Sequence, residues 1–184
     1  MKDSILAEYE MLKSEINQII ELVNSLTTFT LTTVVAILTF ALTSDNAMLY
    51  LLPYCIIIPM YLRISYYRSA MVKISAYMII FLEKYDDGIN WETRNSCLMN
   101  RINKKEAGIV LRAKYYEGLV ASIICYILFF DAYIKQEKNI IILVVCLLVP
   151  IFLIIWIWCI VRHINDIESE KREWIKEWKK INNH

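Results

Sequence analysis

The chain has 184 residues, of which 58% are hydrophobic, and a formal net charge of only +1. Its mean hydropathy of +0.42 is higher than a soluble domain of this length needs in order to fill one core. The composition therefore argues against an ordinary soluble domain. The near-neutral charge gives no indication of a polyanionic partner for the chain as a whole.

Four apolar stretches without Lys or Arg lie at 26–43, 47–62, 118–134 and 139–161. Each is close to the roughly 20 residues that a helix needs to cross a bilayer, so the sequence predicts four transmembrane helices. Eighteen of the 20 Lys and Arg residues flank these stretches on the same side. By the positive-inside rule, both termini and the middle segment are expected in the cytoplasm.

The predicted fold class is an all-α membrane protein with two transmembrane hairpins. Because the first apolar stretch follows an acidic helix, we expect no cleaved leader and a mature chain that begins at Met1. The five cysteines are interpreted as small apolar residues, since none is placed for an extracytoplasmic disulfide. The predicted segments are an N-terminal helix (1–25), a first transmembrane hairpin (26–62), a cytoplasmic helical hairpin (63–117), a second transmembrane hairpin (118–161) and an amphipathic tail (162–184).

The first element carries apolar residues in alternating steps of four and three, which is a heptad pattern. This face packs either on a partner helix or on the chain's own cytoplasmic helices. Since no Gly or Pro follows, one helix is expected to continue into the first span. The heptad residues are Ile5, Tyr9, Leu12, Ile16, Ile19 and Val23.

Seven of the eight threonines lie between residues 24 and 44, within the first predicted span. Five positions share one narrow face, with Ala36 filling the gap and bulky residues such as Leu26, Phe29, Val34 and Phe40 expected opposite. A single threonine bonds back to its own helix, but five in register call for a facing surface. The threonine stripe consists of Ser25, Thr28, Thr32, Thr39 and Thr43.

Two surfaces suit the threonine stripe. It either packs closely against another helix, or it lines a water-filled path between several copies of the chain. Because four helices are too narrow to enclose a channel, the second interpretation requires a homo-oligomer. In the third span Asp131 is either interfacial or part of a carboxylate ring at the mouth of such a pore.

All three prolines lie in predicted spans, where kinks are expected: Pro53 and Pro59 in the second, Pro150 in the fourth. Helices are then predicted from 61 to about 85 and from 92 to 117, around a turn at 86–88. The basic residues between them either anchor the segment at anionic lipid or bind an anionic ligand such as a nucleotide, with tyrosines for stacking. The candidate ligand residues are Arg63, Arg68, Lys73, Arg101, Lys104 and Lys105.

Catalysis is not expected. The chain has two histidines, His163 and His184, no Gly-rich phosphate loop and no spacing typical of a metal site. The carboxylates of Asp86, Asp87 and Glu92 are interpreted as isolated and solvated, because a catalytic pair requires burial or a partner. We therefore expect neither an enzyme nor a cofactor or metal.

The layout resembles a group of small bacterial four-helix membrane proteins that begin with an E-Y-x-x-L-K-x-E-I type helix. Glu8, Tyr9, Leu12, Lys13, Glu15 and Ile16 carry the first match, and Trp91 with Glu92 carries a second. Proteins of this build look like the membrane effectors of the Hailong anti-phage defence system.

The resemblance implies an oligomeric, suspected tetrameric, pore of the bacterial inner membrane. It further implies that oligodeoxyadenylate made by a partner nucleotidyltransferase holds the pore closed, and that its loss on infection opens the pore. The threonine stripe would then line the path and the basic hairpin would bind the ligand. The alternative is a non-conducting scaffold or accessory subunit whose stripe packs on a partner.

Overall fold

The computed structural model describes residues 2–44, 46–84, 90–103, 116–135, 140–165 and 167–182. Within these ranges all regular structure is helical, which confirms the all-α prediction for this part of the chain. The elements are α1 (Lys2–Leu42), a 3-10 helix (Ala47–Leu51), α2 (Tyr54–Tyr77), a π-helical segment (Met78–Leu82), α3 (Trp91–Asn103), α4 (Glu117–Lys135), α5 (Ile140–Asn165) and α6 (Ile167–Asn182).

Three helical stretches are long and apolar enough to cross a membrane, judged by length and composition: Asp3–Leu42, Ala47–Leu82 and Glu117–Lys135. The fourth predicted span falls on α5, in which the apolar stretch Pro150–Arg162 is shorter than a span among the residues whose side chains the structure describes. A membrane protein is thus the class that the helices fit. The fourth span and the two-hairpin topology remain predictions.

The first helix runs without a break from Lys2 to Leu42, as the lack of Gly and Pro predicted. The second predicted span is different, because it is not one kinked α-helix. Residues Ala47–Leu51 form a 3-10 helix that Asn46 caps by accepting a hydrogen bond from the Met48 amide at 3.1 Å. Pro53 then stands just before α2, where its missing N–H costs no helical hydrogen bond.

The chain divides into two compact units. The first unit comprises Met1–Val23, Tyr66–Lys114 and Ile164–His184, and the second comprises Asn24–Ser65 and Tyr115–His163. Of the two helices predicted over 61–85 and 92–117, the structure shows helical residues as far as Leu82 and over Trp91–Asn103, while their arrangement as a hairpin remains a prediction. The turn at 86–88 and residues 104–115 lie outside the described residues.

In the first unit, the heptad face of α1 packs on the chain's own helices. Tyr9 and Ile16 form a buried cluster with Met78 and Leu82 of the π-helical segment. Of the two interpretations of the heptad pattern, packing within the chain is therefore the correct one for these residues. Partly buried residues surround this cluster: Ile5, Leu12, Met71, Ile74 and Tyr77.

In the second unit, two tyrosines of α2 bond to the backbone of α4. The Tyr54 hydroxyl donates to the Ser122 carbonyl at 2.6 Å, and the Gly118 amide donates to the Tyr61 hydroxyl at 2.7 Å. Polar contacts of this kind hold helices together where apolar burial alone gives little driving force. A second buried cluster joins the end of α1 to the 3-10 helix and α4: Ala41, Ala47, Tyr50, Phe129 and Tyr133.

Candidate functional site

The threonine stripe is exposed along its whole length. Each of its five residues is accessible on the surface of the chain, and Ala36 between them is accessible as well. The described helices of the chain therefore leave this face uncovered. It is available to lipid, to another protein or to a second copy.

The buried face of α1 lies on the opposite side of the helix. It consists of Val23, Thr30, Val34 and Ala41, which are between 0 and 7% exposed. With about 100° of rotation per residue, these positions lie about 160 to 200° from Thr32. Thr30, the one fully buried threonine of α1 among the described residues, thus belongs to the core rather than to the stripe.

The expected position of two aromatic residues was wrong. Phe29 and Phe40 are 54% and 62% exposed, whereas the sequence placed them opposite the stripe. On a regular helix they lie only about 60 to 80° from Thr32, and Val35 and Leu42 lie at similar angles on the other side. The stripe is therefore bordered on both sides by exposed apolar residues.

Three of the five hydroxyls of the stripe donate to backbone carbonyls within α1. Thr32 Oγ1 donates to the Thr28 carbonyl at 2.9 Å, and Thr39 Oγ1 donates to the Val35 carbonyl at 2.8 Å. Thr43 Oγ1 donates to the Phe40 carbonyl at 2.8 Å. A hydroxyl has one proton and two lone pairs, so these oxygens can still accept hydrogen bonds from water or contact a cation. The arrangement gives an uncharged face that offers acceptors.

The three candidate ligand residues whose side chains the structure describes lie in different surroundings. Arg63 is exposed and belongs to the second unit. In the first unit, Arg68 is partly buried beside the charge of Glu170. The Lys73 ammonium lies 5.2 Å and 5.9 Å from the ring centres of Trp174 and Trp178. The side chain of Arg101 and both Lys104 and Lys105 lie outside the described residues.

A cation and an exposed aromatic ring that the sequence did not pair meet elsewhere in the first unit. The Lys13 ammonium lies 5.7 Å from the centre of the Trp91 ring, and Trp91 is 53% exposed. Lys13 belongs to the first resemblance motif and Trp91 to the second, 78 positions later. In the sequence, only these two motifs pointed to Lys13 and Trp91, and helix packing brings the two motifs together.

The interpretation of Glu92 as a solvated carboxylate was wrong. Glu92 is 9% exposed, and its Oε2 accepts hydrogen bonds from Ser75 and, at 3.4 Å, from Lys171, which is itself 7% exposed. The Lys171 ammonium also donates to the Ser96 hydroxyl at 2.5 Å. Charges buried this far from water require partners, and the tail helix supplies one. Asp86 and Asp87 lie outside the described residues.

A second buried carboxylate caps α3. Glu83, 4% exposed, accepts hydrogen bonds from the Glu92 and Thr93 amides at 2.6 and 3.0 Å, and from the Thr93 hydroxyl at 2.6 Å. A carboxylate suits the N-terminus of a helix, where amides lack partners and the dipole is positive.

Asp131 is a surface residue of α4. Its carboxylate pairs with Lys135 at 2.6 Å, and both side chains are more than 60% exposed. An exposed pair one helical turn apart contributes little to stability. Among the described residues no group of three or more His, Cys, Asp or Glu is arranged to hold a metal ion.

The sequence matches no protein-family model, and no curated protein or solved structure matches it either. The class of the protein therefore follows from its own residues. It is an all-helical chain with three helices that could span a membrane, one of which carries an exposed row of hydroxyls.

Proposed function

We propose that the chain is the subunit of a homo-oligomeric ion pore in the bacterial inner membrane, and that the threonine stripe lines the conducting path. The observation that carries this proposal is the exposure of all five stripe residues on a helix long and apolar enough to cross a bilayer. Within a single chain the described helices leave these hydroxyls uncovered, so packing inside the subunit does not explain why they share one face.

The residues beside the stripe support an arrangement of several copies. In a ring of like helices, the residues that point toward the axis are flanked on both sides by residues that contact the neighbouring helices. The exposed apolar residues Phe29 and Phe40 on one side, and Val35 and Leu42 on the other, occupy these flanking positions. The buried face of α1, opposite the stripe, then packs on the rest of its own subunit.

The chemistry of the stripe supports conduction of small cations. The hydroxyl protons of Thr32, Thr39 and Thr43 are used within the helix, so these three oxygens present lone pairs. Rings of such dipoles replace part of the hydration shell of a cation without binding it too tightly to leave. We therefore expect a pore that passes monovalent cations more readily than anions.

We propose control of this pore from the first unit by an anionic nucleotide ligand, with oligodeoxyadenylate as the first candidate on the basis of the resemblance. Because Arg68 and Lys73 face the tail helix, Lys13 and Trp91 are the better candidates for contact with phosphate and base. Replacement of Trp91 by Ala should weaken the response to the ligand about tenfold or more, because a stacked base contributes about 1–3 kcal/mol. Leu98→Ala, an equally exposed position of α3, is the control.

The experiment that tests the pore is a planar-bilayer recording of purified protein. We expect discrete currents from the wild type and their loss in Thr32→Leu/Thr39→Leu, because two layers of hydroxyls would be replaced by apolar groups. Thr33→Leu is the matched control, since Thr33 makes the same backbone bond, to the Phe29 carbonyl at 2.7 Å, but lies about 100° away from the stripe. A silent bilayer that contains inserted oligomer would favour the scaffold alternative.

A further inference from the structure

The tail helix α6 is attached to the first unit at two places, and the first is a buried ion pair. Lys171 of α6 reaches Glu92 at 3.4 Å and the Ser96 hydroxyl at 2.5 Å, both on α3. Lys171 and Glu92 are 7% and 9% exposed. If α6 stayed docked without the Lys171 cation, the Glu92 carboxylate would be buried without a compensating charge, which is strongly unfavourable. Docking of α6 therefore depends on this ion pair.

The second place of attachment is aromatic. The Trp178 ring packs edge-on against Tyr77 and Phe81, with centroid distances of 5.4 and 6.0 Å, and its Nε1 donates to the Lys73 carbonyl at 3.4 Å. Trp174 covers the Lys73 ammonium from the preceding turn of α6. These contacts lie where α2 changes from α-helical to π-helical geometry.

The π-helical segment is also the point where the other helices of the first unit meet. Met78 and Leu82, 1% and 2% exposed, pack on Tyr9 and Ile16 of α1. Glu83 follows directly and caps α3. A π-helical turn is less favourable than a continued α-helix, so it persists only where its surroundings hold it, and such turns are frequent at functional sites. Here the surroundings are α6 on one side and α1 and α3 on the other.

We infer that α6 is a releasable strap whose docking holds the π-helical segment in place, so that undocking of α6 loosens α3 and the N-terminal half of α1. The same helix α1 continues to Leu42 and carries the threonine stripe. Through this connection, the strap would set the state of the pore; that last step rests on the proposed function.

The test compares hydrogen–deuterium exchange of the full-length protein in detergent for the wild type and Lys171→Met. Methionine retains most of the volume of the lysine side chain but leaves Glu92 without its cation. We expect exchange about a hundredfold faster in α6, since breaking a buried pair on one side is strongly destabilising, and faster exchange also at 78–82 and 5–16. Lys176→Met, an exposed lysine of the same helix, should change nothing.

Two further variants keep the test decisive if Lys171→Met does not fold. Glu92→Gln/Lys171→Met removes both charges and should restore protection of α6, which a general loss of packing would not permit. Trp178→Ala should release the aromatic end and increase exchange in the same three segments. Unchanged protection of α6 in Lys171→Met would refute the strap, and release of α6 without any change at 78–82 and 5–16 would refute the coupling.

Current recordings separate this inference from the proposed pore. If the wild type conducts, Lys171→Met should change the open fraction while Lys176→Met should not; an unchanged open fraction with α6 released would overturn the control of the pore by the strap. If the wild type does not conduct, the pore is wrong, and the exchange pattern alone decides whether α6 holds the first unit together.

Discussion

Gly118 lies where α4 approaches the ring of Tyr61 most closely. A Cβ atom built at this position would stand 2.3 Å from the ring carbon Cζ, far closer than van der Waals contact allows. The same close approach lets the Gly118 amide donate to the Tyr61 hydroxyl. A residue without a side chain is therefore required at this position, near the N-terminus of α4, for α2 and α4 to pack this closely.

Replacement of Gly118 by Ala should destabilise the second unit by about 1–3 kcal/mol, because the ring must move and its hydrogen bond must lengthen. The measurement is thermal unfolding in detergent, monitored as the loss of the monodisperse species. Val120→Ala, on the exposed side of the same helix, is the control. Equal melting temperatures for Gly118→Ala and wild type would show that the close approach is not needed.

The spacing of residues in the sequence predicted the burial of some side chains and not of others. The heptad positions Tyr9 and Ile16 were identified as one apolar face by their spacing alone, and both are buried. Glu92 was misjudged because its partner Lys171 lies 79 positions away on another helix. Spacing determines which residues share a helix face, but it does not determine which distant residue satisfies a buried charge.

At the scale of elements, the junction between the π-helical segment and α3 depends on a single side chain. Glu83 accepts from two amides and one hydroxyl at the start of α3. The preceding π-helical turn, closed by the Glu83 amide to the Met78 carbonyl at 2.9 Å, sets the position of this carboxylate. No sequence pattern predicted the π-helical turn, because residues 78–82 are as apolar as those of any buried helix, and none predicted the cap that depends on this turn.

Replacement of Glu83 by Ala should lower the stability of α3 by about 1–2 kcal/mol, since three donors lose their acceptor. Hydrogen exchange of residues 91–98 measures the effect directly. Lys84→Ala, the exposed neighbour, should leave exchange in α3 unaltered. If Glu83→Ala exchanged no faster than this control, the carboxylate would not be the cap that the geometry indicates.

The elements themselves follow well from the sequence. Three predicted spans fall on helices long and apolar enough to cross a membrane, and α6 lies within the segment predicted as an amphipathic tail. The break at Pro53 was expected as a kink, but the preceding residues form a 3-10 helix instead. Proline indicated the place of the irregularity but not its geometry, since a helix can begin at proline as well as bend there.

For the whole molecule, the proposed pore requires several copies of the chain around one path. A single Cys introduced at Thr28 in a Cys-free background should crosslink copies efficiently, because this position is exposed and lies on the side proposed to face the axis. A Cys at Val34, which is 2% exposed, should not crosslink. The measurement is the ladder of oxidised species on denaturing gels, and a monomer band alone for Thr28→Cys would contradict a homo-oligomer with its stripes facing inward.

The central claim is that the stripe is the wall of the pore, and substituted-cysteine block of single channels tests it most directly. Cys replaces Thr28, Thr32, Thr39 or Thr43 one at a time in the Cys-free protein, and Thr33 or Ala41 in the controls. A charged, water-soluble thiol reagent should reduce the current at the four stripe positions and leave both controls unchanged. Block at all positions alike, or current insensitive to the reagent at the stripe, would place the conducting path elsewhere.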